Sequence, residues 1–373
     1  MAIVLDGTNG ITTPMYNGSI TANAVTPVTG FKNRIINGQM TFDQRNAGAS
    51  VTPANDAYTL DRWQVNISDN SKFTIQQDAG AVTPPVGFTD YLGVTSSSAF
   101  SLAAGSYFVL DQKIEGFNVA DLGWGTANAK TVTLSFWVRS SLTGTFGGVL
   151  RNSAENRSYP YTYTISSANT WEQKSVTIAG DTSGTWLTTN GVGIYVGFGL
   201  GVGTTYSGTA GAWAGSTFAS ATGATSVVST NGATFYITGV QLEVGSTATS
   251  FDYRPYGTEL ALCQRYYYTT GNNSNPTSND TVVSGQVIAV SAGFATMAGG
   301  SYAVSMRAIP TVTTYDGNGL SGTVTQVGVA DGITATASNI GARGFGQITK
   351  GSGSFNTSYG YPVRCGYTAS AEL

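Results

Sequence analysis

The feature that most constrains this chain is the stretch from Phe235 to Tyr268, where a strand pattern passes into a helical pattern. Residues 235 to 244, FYITGVQLEV, have the two-residue period of a strand. Residues 256 to 268 then carry apolar side chains along one helical face, at Leu260, Cys263 and Tyr267. Thr258 is the expected N-cap, and Glu259 suits the positive end of the helix dipole. Because a helix this short is unstable alone, it must pack on the sheets around it.

Composition favours an all-β fold around this helix. Charged residues are 10% of the 373, hydrophobic residues are 41%, and 49 residues are glycine. Enough apolar side chains for a core, together with many turn formers, are typical of sandwiches and barrels of short strands. The alternation is clearest at residues 131 to 139, TVTLSFWVR, and similar segments recur from residue 31 to about residue 254. We therefore predict a two-sheet jelly-roll sandwich.

These patterns divide the chain into four segments. They are an N-terminal segment (1–31), a jelly-roll sandwich (32–255), a short helical connector (256–268) and a smaller C-terminal β domain (269–373). Segment 1–31 has too few large apolar residues for a core, and it is either a flexible leader or an anchor that orders in an assembly. The glycine-rich C-terminal domain has a marginal core, so oligomerisation is a natural source of stability.

Further strands are expected on both sides of the connector, at residues 62–67, 72–77, 107–114, 161–165, 172–178, 193–198, 285–297, 302–306, 311–315, 322–327 and 363–369. The glycine-, serine- and alanine-rich residues 197–230 are expected to form a long surface loop holding a few aromatic side chains.

Several function classes are disfavoured. The formal net charge is −3 and no basic run is present, so nucleic acid is not an expected partner. Without histidine, Ser-His-Asp systems and histidine-ligated zinc sites cannot form, and we expect no cofactor and no metal. Two cysteines are too few for a disulfide framework, and Cys263 is expected in the core. No secretion signal or apolar membrane span is recognisable, so synthesis in a bacterial-type cytoplasm is expected.

Paired carboxylates leave glycoside chemistry open, because hydrolysis needs two acids close together. The candidate acids in the sandwich are Asp111, Glu115, Asp121, Glu155, Glu172 and Asp181. No pair stands out from the sequence, and most of them suit strand ends or turns. We therefore expect a protein that is not an enzyme.

Aromatic side chains suggest a binding function instead. Six tryptophans and 20 tyrosines in a weakly charged β protein suit sugar recognition, because ring faces stack on pyranose faces while amides and hydroxyls bind sugar hydroxyls. Most such residues belong to cores. Four are candidate ligand-binding residues because of their position on a strand face or among glycine, serine and threonine residues: Trp137, Trp186, Tyr206 and Trp213.

Several long segments resemble bacteriophage tail-fibre and minor tail proteins. They are NGQMTFDQRN (37–46), YTLDRWQV (58–65), residues 112–141, residues 156–186 and GVQLEVGSTATSFDYRPYGTELALCQRYY (239–267). The opening MAIVLDGTNGITTP and the closing YTASAEL are similar to such chains too, and the large domain resembles carbohydrate-binding-module jelly rolls in outline.

This resemblance implies a virion structural protein, a homotrimeric fibre that recognises a glycan on the host surface. The N-terminal segment would dock onto other virion proteins, on the tail rather than the head, without membrane insertion. Two alternatives remain: a head-decorating or tail-adaptor protein without a ligand, and a polysaccharide depolymerase. No catalytic or binding residue transfers from the family, and neither the glycan, the host nor the docking partner follows from it.

Overall fold

The computed structural model describes residues 4–6, 10–12, 31–271, 276, 287–289, 294–351, 355–356 and 362–373. It consists of two units, Met1–Lys32 and Asn33–Leu373. In the first unit, β1 (Val4–Asp6) pairs antiparallel with β2 (Gly10–Thr12). Most of segment 1–31, and with it the prediction of an anchor, lies outside the described residues.

Two antiparallel sheets make up the larger part of the second unit. Their strands and the short strands between them are β3 (Tyr58–Leu60), β4 (Trp63–Ile67), β5 (Phe73–Gln77), β6 (Leu92–Ser96), β7 (Tyr107–Glu115), β8 (Val132–Ser140), β9 (Gly144–Arg151), β10 (Ser158–Ile165), β11 (Glu172–Ile178), β12 (Val192–Val202), β13 (Ser207–Gly208), β14 (Ser220–Ala221) and β15 (Thr234–Val244). The six-stranded sheet has the order β10-β9-β12-β7-β4-β3, and the five-stranded sheet has the order β11-β8-β15-β6-β5. Short 3-10 turns lie at Ala79–Ala81, Gly116–Asn118 and Ala120–Leu122.

Alternation along the strands builds the core between these sheets. On β8, Val132, Leu134, Phe136 and Val138 are fully buried in the core, whereas Trp137 lies on the opposite face. Such pairing of two apolar inner faces is what a sandwich requires. The prediction of an all-β jelly-roll sandwich is confirmed, and the trimer stays a prediction.

One α-helix occurs in the described part of the chain, α1 (Tyr256–Gln264). The predicted N-cap Thr258 is wrong, because the helix begins two residues earlier and the amides of Thr258 and Glu259 donate to the carbonyl of Pro255. The helix ends at Gln264, so it covers part of the segment 256–268 that was predicted as a helical connector. Cys263 is fully buried as expected.

The helix ends before Tyr267 and Tyr268 because these residues belong to a strand. Residues 267–269 form a strand that pairs with residues 368–370, which suits the strand preference of aromatic side chains. The strands after the helix are β16 (Tyr267–Thr269), β17 (Val287–Ala289), β18 (Phe294–Ser301), β19 (Thr311–Tyr315), β20 (Thr323–Gln326), β21 (Ala330–Gly341), β22 (Gly344–Lys350), β23 (Pro362–Arg364) and β24 (Gly366–Ser370).

The C-terminal strands form a three-stranded sheet, β16-β24-β19, and a closed barrel, β17-β18-β22-β21-β20-β23. They enclose a second core, to which Tyr302, Phe345 and Tyr367 contribute. The strand expected at 302–306 is wrong: Tyr302 and Met306 are buried, but their amides bind the carbonyls of Arg343 and Ala342 across a bend. The four domain boundaries stay predictions.

Buried ion pairs join the sandwich to the elements after it. Arg265 donates to the carboxylate of Glu115 at the end of β7, and the Tyr266 hydroxyl donates to the same carboxylate at 2.8 Å. The Glu372 carboxylate pairs with the buried guanidinium of Arg62. Among the described residues, no helix is long and apolar enough to cross a membrane.

Candidate functional site

A cleft of about 290 Å³ lies on the outer face of the six-stranded sheet. Alternation along β7 builds its floor: Phe108 and Leu110 point into the core, so Tyr107 and Val109 face outwards. Asn66 lies beside Val109 on the neighbouring strand β4. The walls come from loops, which places a small concave site on a rigid sheet.

Glycines on β12 let one of these loops approach the sheet. Gly199 is paired with Val109, and a Cβ at position 199 would lie 2.6 Å from Oγ of Ser220. The loop that ends at Ser220 carries Tyr206 into the cleft. The glycine-rich segment expected as a surface loop is thus partly a strand, and its remainder forms one wall of the cleft.

Two tyrosines form the aromatic part of the cleft. The rings of Tyr107 and Tyr206 are 5.4 Å apart between centroids and meet edge to face at 84°. Both side chains are half-buried. Burial raises the pKa of Tyr107 and so favours its neutral phenol.

Arg151 is the central charge of the site. Its guanidinium donates to Glu155 at 2.6 Å and lies 3.6 Å from the fully buried carboxylate of Asp111. It also lies over the Tyr195 ring, 5.0 Å from the centroid. Burial raises the pKa of Asp111 to about 6, and Arg151 opposes this shift only in part. Neither oxygen of Asp111 accepts a hydrogen bond from the residues that the structure describes.

Several polar groups in the cleft remain open to a ligand. Within the described residues, the hydroxyls of Tyr107 and Tyr206 and the side-chain amide of Asn66 have no hydrogen-bond partner. Asn55 is engaged differently, since its amide donates to Asp56 and its oxygen accepts from the Ile67 amide. The site therefore offers two ring edges, free donors and acceptors, and a net negative charge.

The four predicted ligand-binding residues lie at three different places. Tyr206 lines the cleft. Trp186 and Trp213 pack against Trp124, with ring centroids 4.7 to 5.3 Å apart. All three indole N–H groups in that cluster donate to backbone carbonyls. Trp137 lies on the outer face of the five-stranded sheet, and the ligand-binding role of all four stays a prediction.

The candidate acids are all paired with basic side chains. Two of them flank one cation, Asp111 and Glu155 on either side of Arg151, and four have separate partners: Glu115 with Arg265, Asp121 with Arg34, Glu172 with Lys174 and Asp181 with Arg157. Within the described residues, no group of three or more Cys, Asp or Glu side chains is arranged to hold a metal ion.

Among the residues that line the cleft, Tyr206 and Glu155 were named from the sequence, and most of the others were missed, including Tyr107, Asn66 and Arg151. Tyr107 had a signal, because the alternation of β7 places it opposite Phe108. Asn66 and Arg151 had none. Asn66 is on β4 and Arg151 is on β9, and these two strands flank the central pair β12 and β7 in the order β9-β12-β7-β4. The two residues meet in the cleft only because of this strand order.

Comparison with known proteins gives no family. No protein-family profile and no curated protein sequence matches the chain. Solved structures are similar at low levels. The enzymatically active domain of tailspike protein 4 of bacteriophage CBA120 is 12% identical, with a TM-score of 0.33 over 57% of this chain and 22% of that domain. This chain therefore matches about a fifth of that domain.

Two carbohydrate-binding modules are similar over most of their own length. A family 4 module is 14% identical, with a TM-score of 0.28 over 56% of this chain and 98% of the module. A family 11 module of Clostridium thermocellum, solved with a β-1,3-1,4-mixed-linked tetrasaccharide, is 11% identical, with a TM-score of 0.28 over 53% of this chain and 97% of the module. At these scores the similarities assign neither a family nor a ligand.

Proposed function

We propose that the cleft on the six-stranded sheet binds a glycan of neutral pyranose units. The observation that carries this proposal is the convergence of Tyr107, Tyr206 and Asn66, with their unpartnered polar groups, in one cleft of about 290 Å³. Tyrosine offers an apolar ring and a polar tip, which suits a sugar with apolar faces and hydroxyl edges. The volume is near the lower end of ligand pockets, so one or two sugar units fit.

Charge favours neutral over acidic sugars at this site. Asp56 and Glu155 line the cleft and Asp111 lies beneath it, while Arg151 is the one cation among these residues and is already paired with two of the acids. A carboxylate on the ligand would meet like charges, which disfavours binding.

Calorimetric titration with neutral tetrasaccharides of glucose, galactose and mannose tests the proposal. We expect Tyr206→Ala and Tyr107→Ala each to weaken binding about tenfold, since stacked rings and their hydrogen bonds contribute roughly 1 to 2 kcal/mol. Phe117→Ala is the matched control, because Phe117 is 60% exposed and lies outside the cleft. Equal losses in all three variants, or no binding of any neutral probe to the wild type, would refute the assignment.

The wider role proposed is a non-enzymatic, homotrimeric phage fibre that recognises a host-surface glycan. Its support is the resemblance of the sequence segments to phage tail-fibre chains, together with the glycan-compatible cleft. Light scattering at micromolar concentration tests the trimer, and a monomer would count against it. Electron microscopy of the particle tests whether the chain lies on the tail, and a location on the head would favour the adaptor or decoration role.

Asp111 and Glu155 support one rival, a polysaccharide depolymerase. Asp111 is a buried carboxylic acid with a raised pKa, and it lies on the other side of Arg151 from the Glu155 carboxylate. Glycoside hydrolysis likewise uses two carboxyl groups in different environments. Release of reducing ends from host polysaccharide by the wild type, abolished in Asp111→Asn, would establish this reaction. Sugar binding without release of reducing ends supports the non-enzymatic role.

A further inference from the structure

A second group of chemically distinctive side chains lies on the outer face of the five-stranded sheet. Trp137 and Arg139 alternate with core residues of β8, so both project from this face. The register places Gln173 of β11 and Thr238 of β15 on either side of Trp137. Tyr236 lies opposite Arg139 on β15. These residues are on the other side of the sandwich from the first cleft.

Arg139 is an unpaired cation in this setting. In the described part of the chain its guanidinium has no carboxylate within 4.0 Å and no hydrogen bond, and its Nε is buried without a partner. The charged residues of the neighbouring strand do not neutralise it, because Glu172 and Lys174 are opposite the core-facing Val138 and Phe136 and bind each other. A buried donor without a partner is unfavourable, and an incoming anion removes that cost.

Aromatic side chains surround this part of the face. Gly239, at a bulge in β15 with φ of +61°, leaves room for two rings: a Cβ there would lie 2.6 Å from Phe88 Cζ and 3.1 Å from Trp137 Cδ1. On the Arg139 side, Tyr236 packs against Tyr91 with ring centroids 5.3 Å apart. Bulges of this kind often re-aim side chains next to binding sites.

A polar groove adjoins the tryptophan. Gln173, which is opposite Trp137, lines a groove of about 380 Å³ with Ser175 and Thr249. Trp137 is half-buried, so part of its indole is open to solvent. The face thus combines an aromatic platform, an unpaired guanidinium and a groove lined by hydroxyl and amide groups and by Lys174, whose ammonium group pairs with Glu172.

We propose that this face is a second binding site, specific for an acidic sugar, in which a pyranose ring stacks on Trp137 and its carboxylate pairs with Arg139. The planar guanidinium matches a carboxylate in a bidentate geometry, and the aromatic surroundings strengthen that pair. The two faces then differ in charge: the first cleft is acidic and disfavours anionic sugars, whereas the second offers an unpaired cation. This site does not depend on glycan binding at the first cleft.

Titration of the full chain with tetragalacturonate, followed by tryptophan fluorescence and calorimetry, tests the second site. Galactotetraose is the neutral probe and mannose 6-phosphate the phosphorylated one. We expect Arg139→Gln to weaken tetragalacturonate binding by about tenfold or more, since the charge-assisted hydrogen bonds to the carboxylate are lost. Arg139→Lys keeps the positive charge, so its affinity for tetragalacturonate should lie between those of the wild type and Arg139→Gln. Trp137→Ala should lose both affinity and the fluorescence change.

The cleft variant Tyr206→Ala is the matched control and should bind tetragalacturonate like the wild type. The proposal is overturned if Arg139→Gln, with an unchanged melting temperature, binds tetragalacturonate as tightly as the wild type. It is also overturned if Tyr206→Ala removes the binding, or if only mannose 6-phosphate binds. Loss of neutral-sugar binding in Tyr206→Ala together with unchanged uronate binding supports both sites separately.

Discussion

Asp111→Asn is expected to stabilise the protein at neutral and alkaline pH. Asp111 is fully buried, and burial raises its pKa from 3.8 to about 6. Because the folded-state pKa lies above the unfolded value, the contribution of this group to stability is fully present below about pH 4 and is lost as pH rises through 6. A difference of about 2 pKa units corresponds to roughly 3 kcal/mol of destabilisation at pH 8. Asparagine has a similar shape and no charge, and Arg151 keeps Glu155 as its partner at 2.6 Å.

Urea unfolding of the wild type and Asp111→Asn between pH 4 and pH 8 measures this effect. The difference in free energy of unfolding should be small at pH 4 and grow to about 3 kcal/mol in favour of the variant at pH 8. Comparing the two chains removes the contribution of other buried acids. Asp121→Asn is the matched control for the loss of a carboxylate, because the side chain of Asp121 is 48% exposed. Asp61→Asn should show the same trend over a wider window, since burial raises the pKa of Asp61 to about 7.

One result would refute this reasoning: an Asp111→Asn variant that is less stable than the wild type by a similar amount at every pH. It would mean that the ion pair with Arg151 outweighs the desolvation of the carboxylate. A confirmed gain would indicate that the acid is kept at a cost in stability, which is characteristic of functional sites.

Three further substitutions probe the packing. Glu372→Ala leaves the buried guanidinium of Arg62 without this partner and should lower the free energy of unfolding by about 3 to 5 kcal/mol in urea titration. Gly239→Ala forces a side chain into a left-handed conformation and against Phe88, so a loss of about 1 kcal/mol or more and a changed tryptophan emission are expected. Tyr161→Phe removes a buried hydrogen bond to a β12 carbonyl and should cost about 1 kcal/mol by thermal unfolding; an unchanged melting temperature would contradict this role.

The alternation of apolar and polar residues predicted the strands of the sandwich well, because each strand has one face in the core. The expected strand 172–178 coincides with β11, and 131–139 differs from β8 by one residue at each end. The hairpin of β21 and β22 was missed because its inner face is only weakly apolar. Ile333, Ala335 and Ala337 alternate with polar residues and contribute to the second core, but two of the three are alanine and most side chains of the hairpin are exposed or half-buried. Residues 302–306 gave the opposite error, since buried side chains there belong to a bend rather than to a strand.

The candidate site was only partly accessible from the sequence. Tyr206 was selected because small neighbours such as glycine and serine leave an aromatic side chain exposed, and it does line the cleft. Trp186 and Trp213 have similar neighbours, but they pack against Trp124. Local composition does not distinguish these outcomes. Arg151 became part of the site through the strand order β9-β12-β7, and such long-range pairing leaves no periodic signal in either strand.

The strand β7 links the cleft to the region after the helix. Tyr107 and Val109 near its start form the cleft floor, and Glu115 at its end binds Arg265 and Tyr266. A nine-residue strand spans about 30 Å, and its neighbours β4 and β12 are hydrogen-bonded along it. The position of the helix and of β16 relative to the cleft is therefore fixed by a paired strand rather than by a flexible linker. A ligand bound in the cleft would therefore lie at a defined distance from the C-terminal strands, which is what the proposed receptor-binding role would require.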